Sequence, residues 1–152
     1  MKPVSFFAAA TLALASGPAL ADAPSAYFQP DWHAAKDAFR EGAKGNFIPT
    51  TPDQKLTCAA YWLAWRSEIG TPLVPPVVLR GLDDALGSDA AKAEIIGLIK
   101  GIPQTDANGS ALVRAGDEAK THFVVGAGGD RKAWHDFFAR LGACRLRQGK
   151  AG

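Results

Sequence analysis

The chain has 152 residues, 47% of them hydrophobic and 21% charged, with a formal net charge of +2. These are ordinary values for a globular domain, and they exclude a disordered tail, a collagen-like repeat and a multi-domain enzyme. So small a charge leaves no electrostatic footprint for a nucleic acid or an anionic membrane surface.

Residues 1–21 read as an export leader. Lys2 supplies a positive start, and residues 4–14 are apolar apart from Ser5 and Thr11. Ser16, Gly17 and Pro18 then break the run, and Ala19 and Ala21 put small side chains where a signal peptidase needs them, so cleavage is expected before Asp22. The apolar stretch is shorter than the ~20 residues that span a hydrocarbon core, which argues against a membrane anchor. Residues 22–152 are then expected to be a single helical domain, periplasmic or secreted, with no transmembrane segment.

Asp31 is placed to cap a first helix over residues 32–43, whose Trp32, Ala35, Phe39 and Ala43 share one stripe. Thr51, Pro52 and Gln54 form a capping box that opens a second helix running to residue 69, with Gly70 and Pro72 ending it. That helix is apolar on two sides. Cys58, Tyr61, Trp62, Trp65 and Ile69 make one face; Leu56, Ala59, Ala60 and Leu63 make the other. Such a helix is expected at the centre of the fold. A short helix over residues 77–86, another over 90–100 and a fifth over 111–125 follow, separated by glycine and proline breaks. Asp130 caps a last helix over residues 131–147, where Trp134, Phe137, Phe138 and Leu141 keep helical spacing. The pattern predicts an all-α fold, a compact orthogonal or bundle-like domain of five to six helices.

The two cysteines, Cys58 and Cys144, form an even set in an exported chain, and they are expected to make one long-range disulfide. There is no Cys-x-x-Cys pair for thioredoxin-like chemistry and no haem-attachment motif.

Residues 103–110 form the longest polar loop, and the twelve residues from 106 to 117 carry oxygen-bearing side chains at regular spacing. Asp106, Asn108 and Ser110 stand at positions one, three and five, and Asp117 at position twelve. The segment is similar to an EF-hand or dockerin-type calcium loop, and the resemblance implies a calcium ion held by these four residues. Ala111 replaces the glycine of the sharp turn, and Arg114 adds a cation inside the loop. The same composition also makes an ordinary solvated turn. The aromatic ridge of Tyr61, Trp62 and Trp65 is a candidate ligand groove, with core packing as the competing reading.

His33 and Asp37 lie one turn apart on a polar face, where a solvated pair is the simpler reading. His135 and Asp136, as sequence neighbours, cannot form a dyad alone. His122 sits beside apolar Phe123 and Val124, which suits a partly buried core histidine. Glu41, Glu68, Glu94 and Glu118 are scattered, and neither a Gly-x-Ser-x-Gly elbow nor a phosphate loop occurs. The basic end, Arg140, Arg145, Arg147 and Lys150, suits a helix C-terminus.

Two function classes stand on this reading. The first is an exported, non-catalytic helical protein of the cell envelope that binds another protein or a small hydrophobic ligand. The second is an enzyme or a metal-dependent protein, through calcium or a histidine–carboxylate set, whose site forms only in the fold. Every recognisable motif is structural, which favours the first.

Overall fold

A computed structural model describes residues 29–146. The expected leader at residues 1–21 lies outside the described residues, as do Arg147 and Lys150. Among the described residues six α-helices follow one another: α1 (Trp32–Lys44), α2 (Pro52–Glu68), α3 (Pro76–Leu79), α4 (Ser88–Ile99), α5 (Asp106–Ala127) and α6 (Arg131–Ala143). No helix among the described residues is long and apolar enough to cross a membrane.

Local chemistry sets the starts. Asp31 accepts a hydrogen bond from the Ala34 amide at 2.9 Å, and Asp130 does the same for Ala133. At α2 the box is complete: Thr51 Oγ1 accepts from the Gln54 amide, and Gln54 Oε1 accepts from the Thr51 amide. Each such cap satisfies orphan N–H groups and contributes about 1 kcal/mol. Gly70 ends α2 in the left-handed region at φ +86°, and its amide then bonds the Val74 carbonyl.

Three boundaries depart from the sequence pattern. The expected helix over residues 77–86 divides into α3 and a 3-10 turn, Asp84–Leu86. Asp83 starts that turn afresh by accepting from the Ala85 amide, while the Trp65 indole donates to the Leu86 carbonyl at 2.8 Å. The fifth helix starts at Asp106 and not at residue 111. Thr105 caps it by accepting from the Asn108 amide, and the Asn108 side chain donates to the Pro103 carbonyl. The last helix stops at Ala143. Beyond the Cys144 cap the chain turns onto α4, where the Glu94 carboxylate accepts from the Leu146 amide at 2.7 Å. Gly97 has no Cβ to obstruct the Leu146 side chain, which lies directly over it.

The core is aromatic. Helix α2 lies between α4, α5 and α6, and α1 packs along α6. Trp62, Trp65, Phe39, Phe123, Phe137 and Phe138 are fully buried. Their rings meet tilted or edge-on, as in Trp134–Phe138 at 4.9 Å and Phe123–Phe137 at 5.2 Å. That geometry suits the ring quadrupoles. Each buried ring contributes about 2–3 kcal/mol before ordering entropy is subtracted. The buried indoles remain satisfied: Trp62 donates to the Cys144 carbonyl and Trp134 to that of Asp31.

Two carboxylates give the fold opposite pH dependences. The bond from the Ala85 amide, aided by Arg40 at 3.3 Å, holds Asp83 below the usual carboxylate range. Its contribution is therefore present above an unfolded value of about 3.9 and is lost as pH falls through the depressed folded value. Asp83→Asn keeps an acceptor for the Ala85 amide and loses the charge beside the half-exposed Arg40, so it is expected to cost about 0.5 kcal/mol at pH 7, with the deficit closing in acid, as followed by urea unfolding across pH. Burial pushes Glu94 up, against the opposing Leu146 amide and Arg145. Its ionised form is then a burden that appears as pH rises from about 4.3 through the raised folded value. Glu94→Gln keeps an acceptor for the Leu146 amide and drops the charge. The variant should be at least as stable as wild type at pH 7, any gain vanishing in acid; thermal melts at pH 4 and pH 7 check this.

Candidate functional site

The disulfide lies beside a region where polar side chains from several helices converge. Cys58 and Cys144 are bonded, with Cα atoms 5.2 Å apart, and both are buried. The bridge pins the middle of α2 to the end of α6. Tyr61 lies one turn after Cys58, and Arg140 one turn before Cys144, so each shares a helix face with its cysteine. The Arg140 guanidinium consequently stands over the Tyr61 ring, 5.9 Å from its centroid, within cation–π range.

The Tyr61 hydroxyl is 2.7 Å from His122 Nδ1 on α5. Burial is the main cause that raises the Tyr61 pKa; Arg140 opposes it, and Glu118 and Asp136 add to it. The phenol is therefore neutral and able to donate its proton to the imidazole.

Around this pair lies an open recess of about 550 Å³, walled by Glu41, Phe47, Tyr61, His122, Asp136 and Arg140. Its size falls in the range of ligand-binding clefts, roughly 300–1,000 Å³. The acidic rim is already paired. Glu41 meets His135 Nε2 at 3.2 Å, and His135 Nδ1 lies 3.5 Å from Asp136. Lys132 also bonds Asp136 and is the main cause holding that carboxyl below its usual range.

The other candidates fall elsewhere. Trp62 and Trp65 are 0% exposed and belong to the core, so the expected aromatic ligand groove does not form from them. The cause is the enclosure of α2 by three helices. Of that trio Tyr61 alone reaches the recess. Asp106, Asn108, Ser110 and Asp117 lie on α5, not in a loop. At 1.5 Å rise per residue Asp117 stands ~16 Å along the axis from Asp106, and the 100° step turns Asn108 away from the other three. These four cannot converge on a calcium ion while the helix holds. Among the described residues no three His, Cys, Asp or Glu side chains gather as a metal site. No hydrogen bond joins His33 to Asp37 among the described residues, and both are exposed. Other recesses exist: a shallow one of about 590 Å³ lies beside Asp106, Ser110 and Arg114 on α5, and a smaller one of about 100 Å³ lies between Leu56, Ile99, Ile102 and Leu112.

Sequence reasoning placed Tyr61 and His122 in separate categories and assigned Arg140 to a basic helix end. The signal that links them is the register of Tyr61 and Arg140 to the two cysteines. His122 carries no such mark, since its partner is 61 residues away.

Comparison with protein-family models, with curated proteins and with solved structures finds no match to this chain.

Proposed function

We propose that this chain is an exported, non-catalytic helical domain of the cell envelope, periplasmic or secreted, that binds another protein through the recess between α1, α2, α5 and α6. The observation that carries this reading is the convergence of Tyr61, His122 and Arg140 on an open recess, with the Cys58–Cys144 bridge one helical turn from Tyr61 and from Arg140. Binding sites that hold their shape need such a rigid support. The leader pattern and a cystine both suit an oxidising compartment. A small hydrophobic ligand is the weaker alternative, because the aromatic side chains that would line its site are spent on the core and the apolar pocket beside Leu56 is small.

The test is affinity capture from envelope extract with three oxidised baits: wild type, Tyr61→Phe with Arg140→Ala, and Lys92→Ala on the exposed face of α4. A partner held by wild type and Lys92→Ala but lost from the double variant is expected. A partner held equally by all three, or none held by any, overturns the reading.

The Tyr61–His122 hydrogen bond supports an enzyme as second reading, since a phenol and an imidazole in a cleft can move a proton. That reading requires a turnover on a panel of ester, amide and glycoside substrates that Tyr61→Phe abolishes.

A further inference from the structure

We propose that Asn108 and Gly109 form a self-modifying pair, at which asparagine converts to aspartate and isoaspartate whenever the first turn of α5 opens. The site is independent of the recess.

Residues 106–117 do not form a calcium loop, but the Asn-Gly pair inside them has a chemistry of its own. The Gly109 backbone nitrogen gives its proton to solvent base and attacks Asn108 Cγ. The new N–C bond closes a five-membered imide. The Cγ–Nδ2 bond breaks, and Nδ2 leaves as ammonia. Water then opens the imide at either carbonyl. One opening gives aspartate. The other gives isoaspartate, in which the main chain runs through the former side chain. Water is the only co-reactant. Glycine hinders the attack least of all successors, because it carries no Cβ. The flank of Gly109 is also open, with no atom within 4 Å of the place a methyl group would take.

The folded chain engages each group in this reaction. The Gly109 amide donates to the Thr105 carbonyl at 2.9 Å, so the proton that must leave is held. Asn108 Nδ2, the leaving group, donates to the Pro103 carbonyl at 2.9 Å, which ties the side chain back to the preceding loop. The Asn108 amide donates to Thr105 Oγ1 at 3.2 Å. Ring closure therefore waits on the opening of this turn.

The hold is a weak one. All three bonds lie in the first turn, where helices fray. Asp106, Ala107, Gly109 and Ser110 are exposed, so water competes for the same groups. A glycine inside a helix lowers its stability further.

The two products act oppositely on α5. An aspartate here stands in the first turn, where the macrodipole favours a carboxylate. An isoaspartate lengthens the main chain by one carbon, and the Gly109 amide loses its register with the Thr105 carbonyl. Thr105, Asn108 and Gly109 wall the small pocket beside Leu56, so isoaspartate releases that wall.

The experiment is peptide mapping of the oxidised protein during incubation at mildly alkaline pH. A blocked Asp-Ala-Asn-Gly-Ser peptide beside it sets the unprotected rate. Chromatography and mass separate asparagine from its two products. Asn108 in the folded chain is expected to convert about 10–100 times more slowly than the peptide, the range of a fraying turn. Thr105→Ala removes the cap and should raise the rate about fivefold. Hydrogen exchange at the Gly109 amide should rise by the same factor, since both report one opening. Near-UV circular dichroism confirms that the variant is folded. Conversion as fast as in the peptide overturns the inference, because the turn then holds nothing. Intact Asn108 after about a hundred peptide half-lives overturns it as well. So does an unchanged rate in Thr105→Ala, or a faster rate without faster exchange.

Discussion

Replacing Cys58 and Cys144 together by alanine is expected to lower the unfolding free energy by about 4 kcal/mol. The bridge closes a loop across a sequence separation of 86. In the chain-entropy description a loop of that length removes about 4–5 kcal/mol of freedom from the unfolded state. Small domains hold only about 5–15 kcal/mol in all, so the variant should sit near the edge of folding at growth temperature. Guanidinium unfolding of the variant beside the oxidised wild type measures the difference. A loss below about 1 kcal/mol would mean that the α2–α6 contact is held by packing alone. The effect should reach the recess as well. With the bridge gone, the middle of α2 and the end of α6 are free to part, and Arg140 loses its fixed place over Tyr61.

The second large effect lies where α1 crosses α6. A methyl group built on Gly142 would stand 1.9 Å from the Phe39 carbonyl oxygen and 2.8 Å from the Ala43 amide. One built on Gly42 would stand 1.9 Å from the Ala139 carbonyl oxygen. These obstacles are backbone, and no rotamer change relieves them; the helices would have to separate. Alanine gains about 1 kcal/mol over glycine in a helix interior. Overpacking against main chain costs more, so Gly142→Ala is expected to destabilise by a net of about 3 kcal/mol, the upper end of the usual range. Gly116→Ala supplies the opposite sign. It lies inside α5 with no atom within 4 Å of the added methyl, and it should stabilise by about 0.5–1 kcal/mol. Urea midpoints of the two variants decide the matter, and a stabilising Gly142→Ala would show that the crossing is looser than the glycines imply.

The legibility of the chain follows the range of the interactions. Caps are local chemistry, so Asp31, Thr51 and Asp130 could be placed from neighbouring residues, and the structure finds each bonded as expected. The all-α class and the central α2 followed from apolar periodicity. The cystine followed from an even cysteine count and an export pattern. What escaped depends on partners distant in sequence. The break between α3 and the 3-10 turn answers to Trp65, which holds the Leu86 carbonyl from 21 residues away. The start of α5 has the composition of a loop, because aspartate, asparagine, glycine and serine are turn formers. There a threonine cap and an asparagine tether outweigh composition.

The candidate site was legible only in fragments. Tyr61 stood out as the one polar member of an aromatic ridge, but Trp62 and Trp65 beside it are core. Whether an aromatic on a two-sided helix lines a groove or fills the interior depends on which neighbours cover it, and that is a tertiary fact. Arg140 fitted a helix-end explanation that needs no ligand. Its position over Tyr61 emerges once the disulfide sets the two helices in register.

One covalent tie holds Tyr61 and Arg140 at a shared recess, and the proposed export would supply the oxidising compartment in which it forms. Mass spectrometry of the protein recovered from its native location tests this most directly. The account predicts a chain beginning at Asp22 and a proteolytic fragment in which the peptides of Cys58 and Cys144 remain joined until reduced. Free thiols at both positions, or a chain that still carries residues 1–21, would contradict it.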